Sequence, residues 1–502
     1  MTFEPTSQPV AFRFDNSYAR LPETFYARLN PTPVSAPRLI QLNHRLALEL
    51  GLDPDALATP DGIAILAGNR IAEGSEPLAM AYAGHQFGHF VPLLGDGRTN
   101  LLGEVLATNG TRYDIQLKGS GPTPFSRRGD GRAALGPVLR EYLLSEAMAA
   151  LGVPTTRALA AVLSGDSVFR ETAVPGAIFT RVAASHLRVG TFQYFAARND
   201  TEGLRQLADY AIARHYAHLT KHQKPYGALL DEVIARHARL VAQWINLGFI
   251  HGVMNTDNTS ISGETIDYGP CAFMEAYDPA QVFSSIDRQG RYAYANQPHA
   301  AHWNLTRLAD ALLPLLIEEQ GGKDEAITAA RASLAAFLPQ YETARIAGLL
   351  TKLGLRTVQD GDAALAEDLL ERMAANGADF TLTFRRLADA AAHPAAHANV
   401  RMLFNVPTAY DTWSTAWHTR LAQEPTTAAE RAAAMRRANP IFIPRNHLVE
   451  AVIEAATERE DFAPFQALLD VVTHPWDDRP GLAKYATPAR PEEQVTATFC
   501  GT

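Results

Sequence analysis

Four polar residues, Lys118, Glu141, Asn258 and Asp267, stand in an order that could hold a nucleoside triphosphate. A triphosphate carries several negative charges. Holding it in one pose takes backbone N–H groups, a fixed cation and a bridging divalent metal ion. Lys118 supplies a point charge and Glu141 a carboxylate to aim it. Asn258 and Asp267 are oxygen donors of the kind that hard Mg²⁺ prefers.

The elements that must position these groups are legible around them. LLGDGRTNLLGEV carries glycine turns, and Asn109-Gly110 between apolar runs predicts a β-hairpin. In YDIQLKG, alternation puts Tyr113, Ile115 and Leu117 on one face of a strand and Asp114, Gln116 and Lys118 on the other. A loop rich in glycine and arginine leads to PVLREYLLSEAMAALGVP, a helix predicted to start at Pro137 with Glu141 in its first turn. A second helix, over 229–247, delivers the chain to HGVMNTDNTSISGETIDYG, which reads as a loop followed by a short hairpin around Ser262-Gly263. Upstream, APRLIQLNHRLALELGL reads as a helix stopped by Gly51, and from about residue 300 the chain is Ala- and Leu-rich and helical.

A glycine hairpin, a strand lysine, a helix glutamate, a loop ending in Asn and an Asp-Tyr-Gly triplet follow the order used by protein kinases. The implied fold class is α+β, a protein-kinase-like bilobal fold with N-terminal and helical C-terminal extensions. Its expected divisions are 1–80 for the N-terminal extension, 81–195 for the lobe with the nucleotide loop, 196–300 for the lobe with the catalytic loop, and 301–502 for the helical region and tail. Laid on the kinase pattern H-R-D-x-x-x-x-N, HGVMNTDN matches at His251 and Asn258 but has Val253 where the base Asp belongs. Asp257 is the nearest carboxylate that could replace it. Either the chain is an inert nucleotide-binding pseudokinase, or its reacting phosphate lies elsewhere. Arg98, Arg127, Arg128, Arg132, Arg181 and Arg188 favour the second alternative. An ordinary kinase site has no need of so many guanidiniums, whereas a nucleotide bound in reverse would place its terminal phosphates among them.

Composition narrows the rest. A formal charge of −9 over 502 residues gives no basic footprint, so nucleic acid is not an expected partner. No apolar run reaches the roughly 20 residues of a membrane span, and the first residues lack the apolar core of a secretion signal. The expectation is a cytoplasmic monomer without a membrane partner. With only Cys271 and Cys500, there is neither a disulfide framework nor a cysteine-based zinc site.

Through AYAGHQFGHFVPLLGDGR, YDIQLKGSGPTPFSRRGDGRAALGPVLREYLLSEAM, FTRVAASHLRVGTFQYF, GFIHGVMNTDN, IDYGPCAFM and TFCGT, the chain resembles the selenoprotein O (SelO/YdiU) family of pseudokinases. The resemblance implies protein adenylylation: ATP bound in a flipped orientation, AMP transferred to Ser, Thr or Tyr hydroxyls of protein substrates, and pyrophosphate released. It implies nucleotide contacts from Gly95, Gly97, Arg98, Lys118, Asp130, Gly131, Arg181, Arg188 and Asp267, with Glu141 as ion-pair partner of Lys118. It further implies Asp257 as catalytic base and Asn258 and Asp267 as ligands of Mg²⁺ or Mn²⁺. An inert scaffold, or UMP transfer from UTP, is the alternative.

Three features stand apart. His85 and His89 in GHQFGH have the spacing of helical metal ligands, but no third ligand accompanies them and the glycines weaken a helix, so structural hydrogen bonding is the preferred role. Arg128-Gly129-Asp130 is an adhesion-like tripeptide, set aside for a nucleotide loop. Cys271 lies four residues past Asp267 while Cys500 sits on a tail that could fold back, a pair suited to a reversible redox lock.

Overall fold

The computed structural model describes residues 10–499. Its centre is an eight-stranded sheet with all its strand pairs antiparallel, built from β1 (Tyr26–Arg28), β2 (Arg38–Leu42), β3 (Leu78–Met80), β6 (Thr99–Leu106), β7 (Arg112–Lys118), β8 (Ala133–Ala134), β9 (Arg157–Phe169) and β10 (Ala173–Ala183). Its order is β1-β3-β6-β7-β10-β9-β2, with β8 added to β10. A separate two-stranded hairpin joins β4 (Gly84–Gln86) to β5 (His89–Val91), and a short ladder pairs β11 (Phe249–Ile250) with β12 (Ala272–Phe273). The architecture is mixed α and β, as the α+β expectation requires.

Both faces of the sheet are buried, and the alternation in β7 shows how. Ile115 and Leu117 join a core with Leu46, Leu57, Ile65 and Leu66, which come from α1 (His44–Glu49), α2 (Pro54–Leu57) and α3 (Pro60–Leu66). Gln116 and Lys118 turn to the opposite face, where α4 (Leu135–Ala150) packs through Leu139, Tyr142 and Leu143 against Ala161, Ala177 and Phe179. A strand covered on both sides can keep a lysine only if the helix above it brings a partner. The Asn109-Gly110 turn forms as predicted, with Leu106 opposite Arg112 and Gly110 at φ +80°.

Beyond the sheet the chain is mostly helical. α5 (Val189–Ala196), α6 (Thr201–His215), α7 (Pro225–Leu247) and α8 (Gln297–Gln320) precede further helices that run to Ala486. α7 ends on Gly248 in the left-handed region at φ +72°, where a side chain would also run into the Phe380 ring. The chain turns there into β11. Since β11 pairs with β12, the ladder pins both ends of the intervening loop, and His251 ties its interior by donating from Nε2 to Ile266 O (3.0 Å).

Three local readings are corrected. APRLIQLNHRLALELGL is not one helix: Arg38–Leu42 forms strand β2 at the sheet edge, and α1 starts after Asn43, whose side chain caps Leu46 N–H. An apolar run of that length carries no periodicity able to separate the two. No strand hairpin surrounds Ser262-Gly263; the turn is held by isolated bridges from Ser260 to Arg188 and from Thr265 to Thr155. α4 begins at Leu135, so Pro137 is its third residue and Glu141 lies in the second turn.

His237 lies buried on α7, its Nδ1 2.9 Å from Val233 O, and burial pulls its pKa down to about 4. A histidine kept neutral by folding stabilises the fold above its unfolded pKa near 6.5, and that contribution is lost as pH falls toward about 4. Chemical denaturation of wild type and His237→Leu should therefore show the wild-type advantage shrinking by about 2 kcal/mol between roughly pH 7 and pH 5. A gap that stays constant would contradict the neutral buried ring.

Candidate active site

One cleft of about 660 Å³ collects nearly every residue singled out from the sequence. Gly95, Gly97, Arg98, Lys118, Asp130, Gly131, Arg181, Arg188, Asp257, Asn258 and Asp267 all line it. Glu141 does not reach the cleft; it stands behind Lys118 on α4.

A chain of buried polar contacts runs along its floor. Lys118 Nζ donates to Glu141 Oε2 and, at 2.8 Å, to Asp267 Oδ1. The other oxygen of Glu141 accepts from Arg181 Nη1 at 3.2 Å. Arg181 also donates to Gln116 Oε1 through Nε and Nη2, at 3.2 and 2.6 Å. Gln116 passes the chain on, donating from Nε2 to Asp96 Oδ2 at 3.1 Å. Asp96 in turn accepts from Met80 N–H and lies 3.8 Å from Arg188. Gln116 and Lys118 are alternate residues of one strand, so the pleat that points Lys118 at Glu141 also points Gln116 at Arg181 on neighbouring β10.

The two carboxylates at the cleft differ sharply. Burial would push Asp267 up, but the Lys118 ammonium and, farther off, Arg181 and Arg98 hold it well below the usual carboxylate range. It is ionised. Its backbone sits in the left-handed region at φ +70°, rare for a residue with a side chain. Asp257 has no such cation against its carboxylate, and burial pushes it up to about 6, with Arg188 only partly offsetting the effect. Among the described residues its buried Oδ1 has no hydrogen-bond partner, and Oδ2 has a long contact from Gln86 Nε2 at 3.5 Å. Arg188 Nη1 donates instead to the Asp257 backbone carbonyl at 2.9 Å, while its guanidinium lies over the Tyr82 ring at 4.5 Å.

Asn258 lines the cleft and donates Nδ2 to Val253 O at 3.1 Å, which leaves its amide oxygen as the atom able to meet a cation. An ionised Asp267 and an amide oxygen fit a hard divalent cation that completes its shell with phosphate oxygens and water. No group of three or more His, Cys, Asp or Glu able to hold a metal by itself occurs among the described residues.

Around the mouth, Asp130 pairs with Arg170 at 2.9 Å and accepts from Arg132 N–H; burial would raise its pKa, but Arg170 holds it lowered. Arg132 itself donates to the carbonyls of Thr32 and Pro33, so its charge is spent on backbone. Arg127 and Arg128 are exposed on a turn with φ +49° and +71°. Glycine is required at position 95, where φ is +63° and a Cβ would sit 2.3 Å from the Phe125 ring.

His85 and His89 are not helical neighbours but lie on opposite strands of the β4–β5 hairpin, and His85 Nδ1 bonds Gln193 at 2.8 Å. Cys271 is buried and free, its thiol pushed up to about 12 by burial. Cys500 lies outside the described residues. The tail before it does return to this region: Thr498 bridges Ser284 and its hydroxyl donates to Pro270 O at 2.5 Å.

Sequence reasoning missed Tyr82, Gln86, Asp96 and Arg170. Asp96 had a signal, being the residue between two glycines already assigned to the nucleotide turn. Tyr82, Gln86 and Arg170 had none, because their partners are 106, 171 and 40 residues away: Arg188, Asp257 and Asp130.

Residues 9–473 match the family model described as "Protein adenylyltransferase SelO". The chain is 64% identical over 493 residues to a protein nucleotidyltransferase YdiU of Bradyrhizobium sp. (strain BTAi1), covering 98% of this chain and 100% of the relative. Proteins of the same name from Methylorubrum populi and Rhodopseudomonas palustris (strain BisB18) are each 63% identical, over 497 and 493 residues, with 98% of this chain covered and 99% and 100% of theirs. Over almost its whole length, the chain belongs to the SelO (YdiU) family.

Proposed function

We propose that this chain is a protein adenylyltransferase that moves AMP from ATP to Ser, Thr or Tyr hydroxyls of proteins and releases pyrophosphate. The observation that carries the proposal is the pairing, in one cleft, of a raised-pKa carboxylate with a free oxygen, Asp257, and a separate cation-rich floor of Lys118, Arg181 and Arg188. The acceptor O–H gives its proton to the Asp257 carboxylate as its oxygen bonds the α-phosphorus. The bond from that phosphorus to the pyrophosphate oxygen breaks on the far side. Lys118, steered by Glu141, and the two arginines neutralise charge on the departing pyrophosphate.

In this reading the fold is protein-kinase-like and bilobal, and the nucleotide lies reversed in it, its terminal phosphates at the Arg181–Arg188 end. Gly95, Gly97 and Arg98 bring backbone and charge to the phosphates, and Asp130 and Gly131 hold the nucleoside end. Asn258 and Asp267 would hold Mg²⁺ or Mn²⁺, which supplies positive charge to the phosphate oxygens. Cys271 and Cys500 would form a redox lock on the segment after Asp267.

Two outcomes check the reading. With Mg²⁺ and ATP labelled at either phosphate, protein should take up the α-label and never the γ-label; γ-label in a small molecule would make it an ordinary kinase, and no transfer of either label an inert scaffold. With α-labelled UTP in the same assay, stronger labelling than with ATP would redirect the reaction to UMP transfer.

Asp257→Asn should lower kcat by about 100-fold or more while ATP binding persists, since a general base contributes roughly that much. Asp267→Ala should lose transfer and metal-dependent ATP binding together. Wild-type transfer by either variant would remove that residue from the mechanism.

A further inference from the structure

Apart from Gln86, which lines the cleft and makes the long contact to Asp257, the GHQFGH hairpin has no part in the chemistry above, yet it is built against the residue beside Asp257. His85 N–H donates to Thr256 Oγ1 at 2.7 Å, the Thr256 hydroxyl donates to Gln193 Oε1 at 2.6 Å, and Gln193 Nε2 donates to His85 Nδ1 at 2.8 Å. These contacts close a ring through three elements: β4, α5 and the single turn Thr256–Asn258. A second brace lies one residue upstream, where Asn255 Oδ1 accepts from Phe87 N–H at 3.0 Å and from the Tyr292 hydroxyl at 2.9 Å.

The packing leaves the loop no slack on that side. A Cβ on Gly84 would come within 2.9 Å of Asp257 Oδ1, and one on Gly190 within 2.2 Å of Ala83 O. Among the described residues, the one side chain that donates to the Asp257 carboxylate is Gln86, by its long contact. Its direction therefore has to come from the backbone on which it rides. Arg188 fixes the carbonyl of Asp257 and the ring fixes Thr256.

We infer that His85, through Gln193 and Thr256, is a positioning residue that sets the aim of Asp257 at the acceptor hydroxyl. The inference rests on the reading of Asp257 as the base. The ring works only while His85 Nδ1 accepts, which assigns the tautomer with its proton on Nε2. Phe90 and Trp303 flank the imidazole at 4.9 and 5.2 Å and hold it in place, so packing and hydrogen bonding at this residue can be separated by substitution.

His85→Phe keeps the flanking ring contacts and removes the acceptor; His85→Asn removes the ring and keeps an acceptor at the Nδ1 position. Steady-state AMP transfer should show kcat of His85→Phe reduced about 10- to 100-fold, the scale on which small misplacements of a catalytic group act. Its KM for ATP should stay within about threefold of wild type, and His85→Asn should recover most of the lost kcat. Thermal denaturation reports whether each variant folds; should His85→Phe fail to, Thr256→Val opens the same ring at near-constant shape and is expected to show the same split. Full kcat in the folded ring variant beside an inactive Asp257→Asn would overturn the inference while leaving the base intact. His85→Asn as slow as His85→Phe would overturn it too, since packing alone would then account for the loss. Full activity in Asp257→Asn would instead bring down the base assignment, and this inference with it.

Discussion

Lys118 is the charge on which the rest of the site depends. It stands on a strand buried on both faces, where an unpaired ammonium would be far too costly to keep, and it meets Glu141 from the helix above and Asp267 from the loop beyond. Removing one partner from a buried ion pair typically costs about 3–5 kcal/mol, because the other charge is stranded. That constraint ties three distant parts of the chain to one point. β7 must present Lys118, α4 must lie across it, and the β11–β12 ladder must hold Asp267 at the right height, even with its backbone in a left-handed conformation. Arg140, next to Glu141, reinforces the tie by donating to the carbonyls of Gly269 and Cys271.

The same constraint explains why the floor of the cleft is polar. Each charge added beside Lys118 needs a partner of its own, and the chain Glu141–Arg181–Gln116–Asp96 supplies partners in sequence until it ends on a backbone N–H. Arg181 is thus neutralised on one edge by Glu141 and satisfied on another by Gln116. A rigid, pre-paired guanidinium is suited to receive an anionic group with little reorganisation. Asp257 is the opposite case. It lacks a cation at its carboxylate, carries a free oxygen and has a raised pKa, the state a proton acceptor near neutral pH requires.

Much of this was legible in the sequence because it rests on local rules. Period-two alternation set the direction of Lys118, the Asn109-Gly110 pair set the hairpin, and helical spacing over 229–247 marked the helix that feeds the loop. Order along the chain then grouped Lys118, Glu141, Asn258 and Asp267, and the structure does bring them to one place. What was not legible is what depends on distant partners. The β2 segment looks helical until β9 is there to pair with it, and Tyr82 is one tyrosine among many until Arg188 is folded over its ring. The ring of His85, Gln193 and Thr256 spans residues 108 and 171 apart, and no spacing rule reaches that far.

The direction of the nucleotide is the central claim, since it decides which phosphate faces Asp257. A structure of the full chain with Mg²⁺ and a non-hydrolysable ATP analogue tests it directly. The terminal phosphates should lie against Arg181 and Arg188 at the cleft floor, with the base outward near Gly131 and Asp130. A base seated against Gln116 and Arg181, with phosphates outward, would contradict the account.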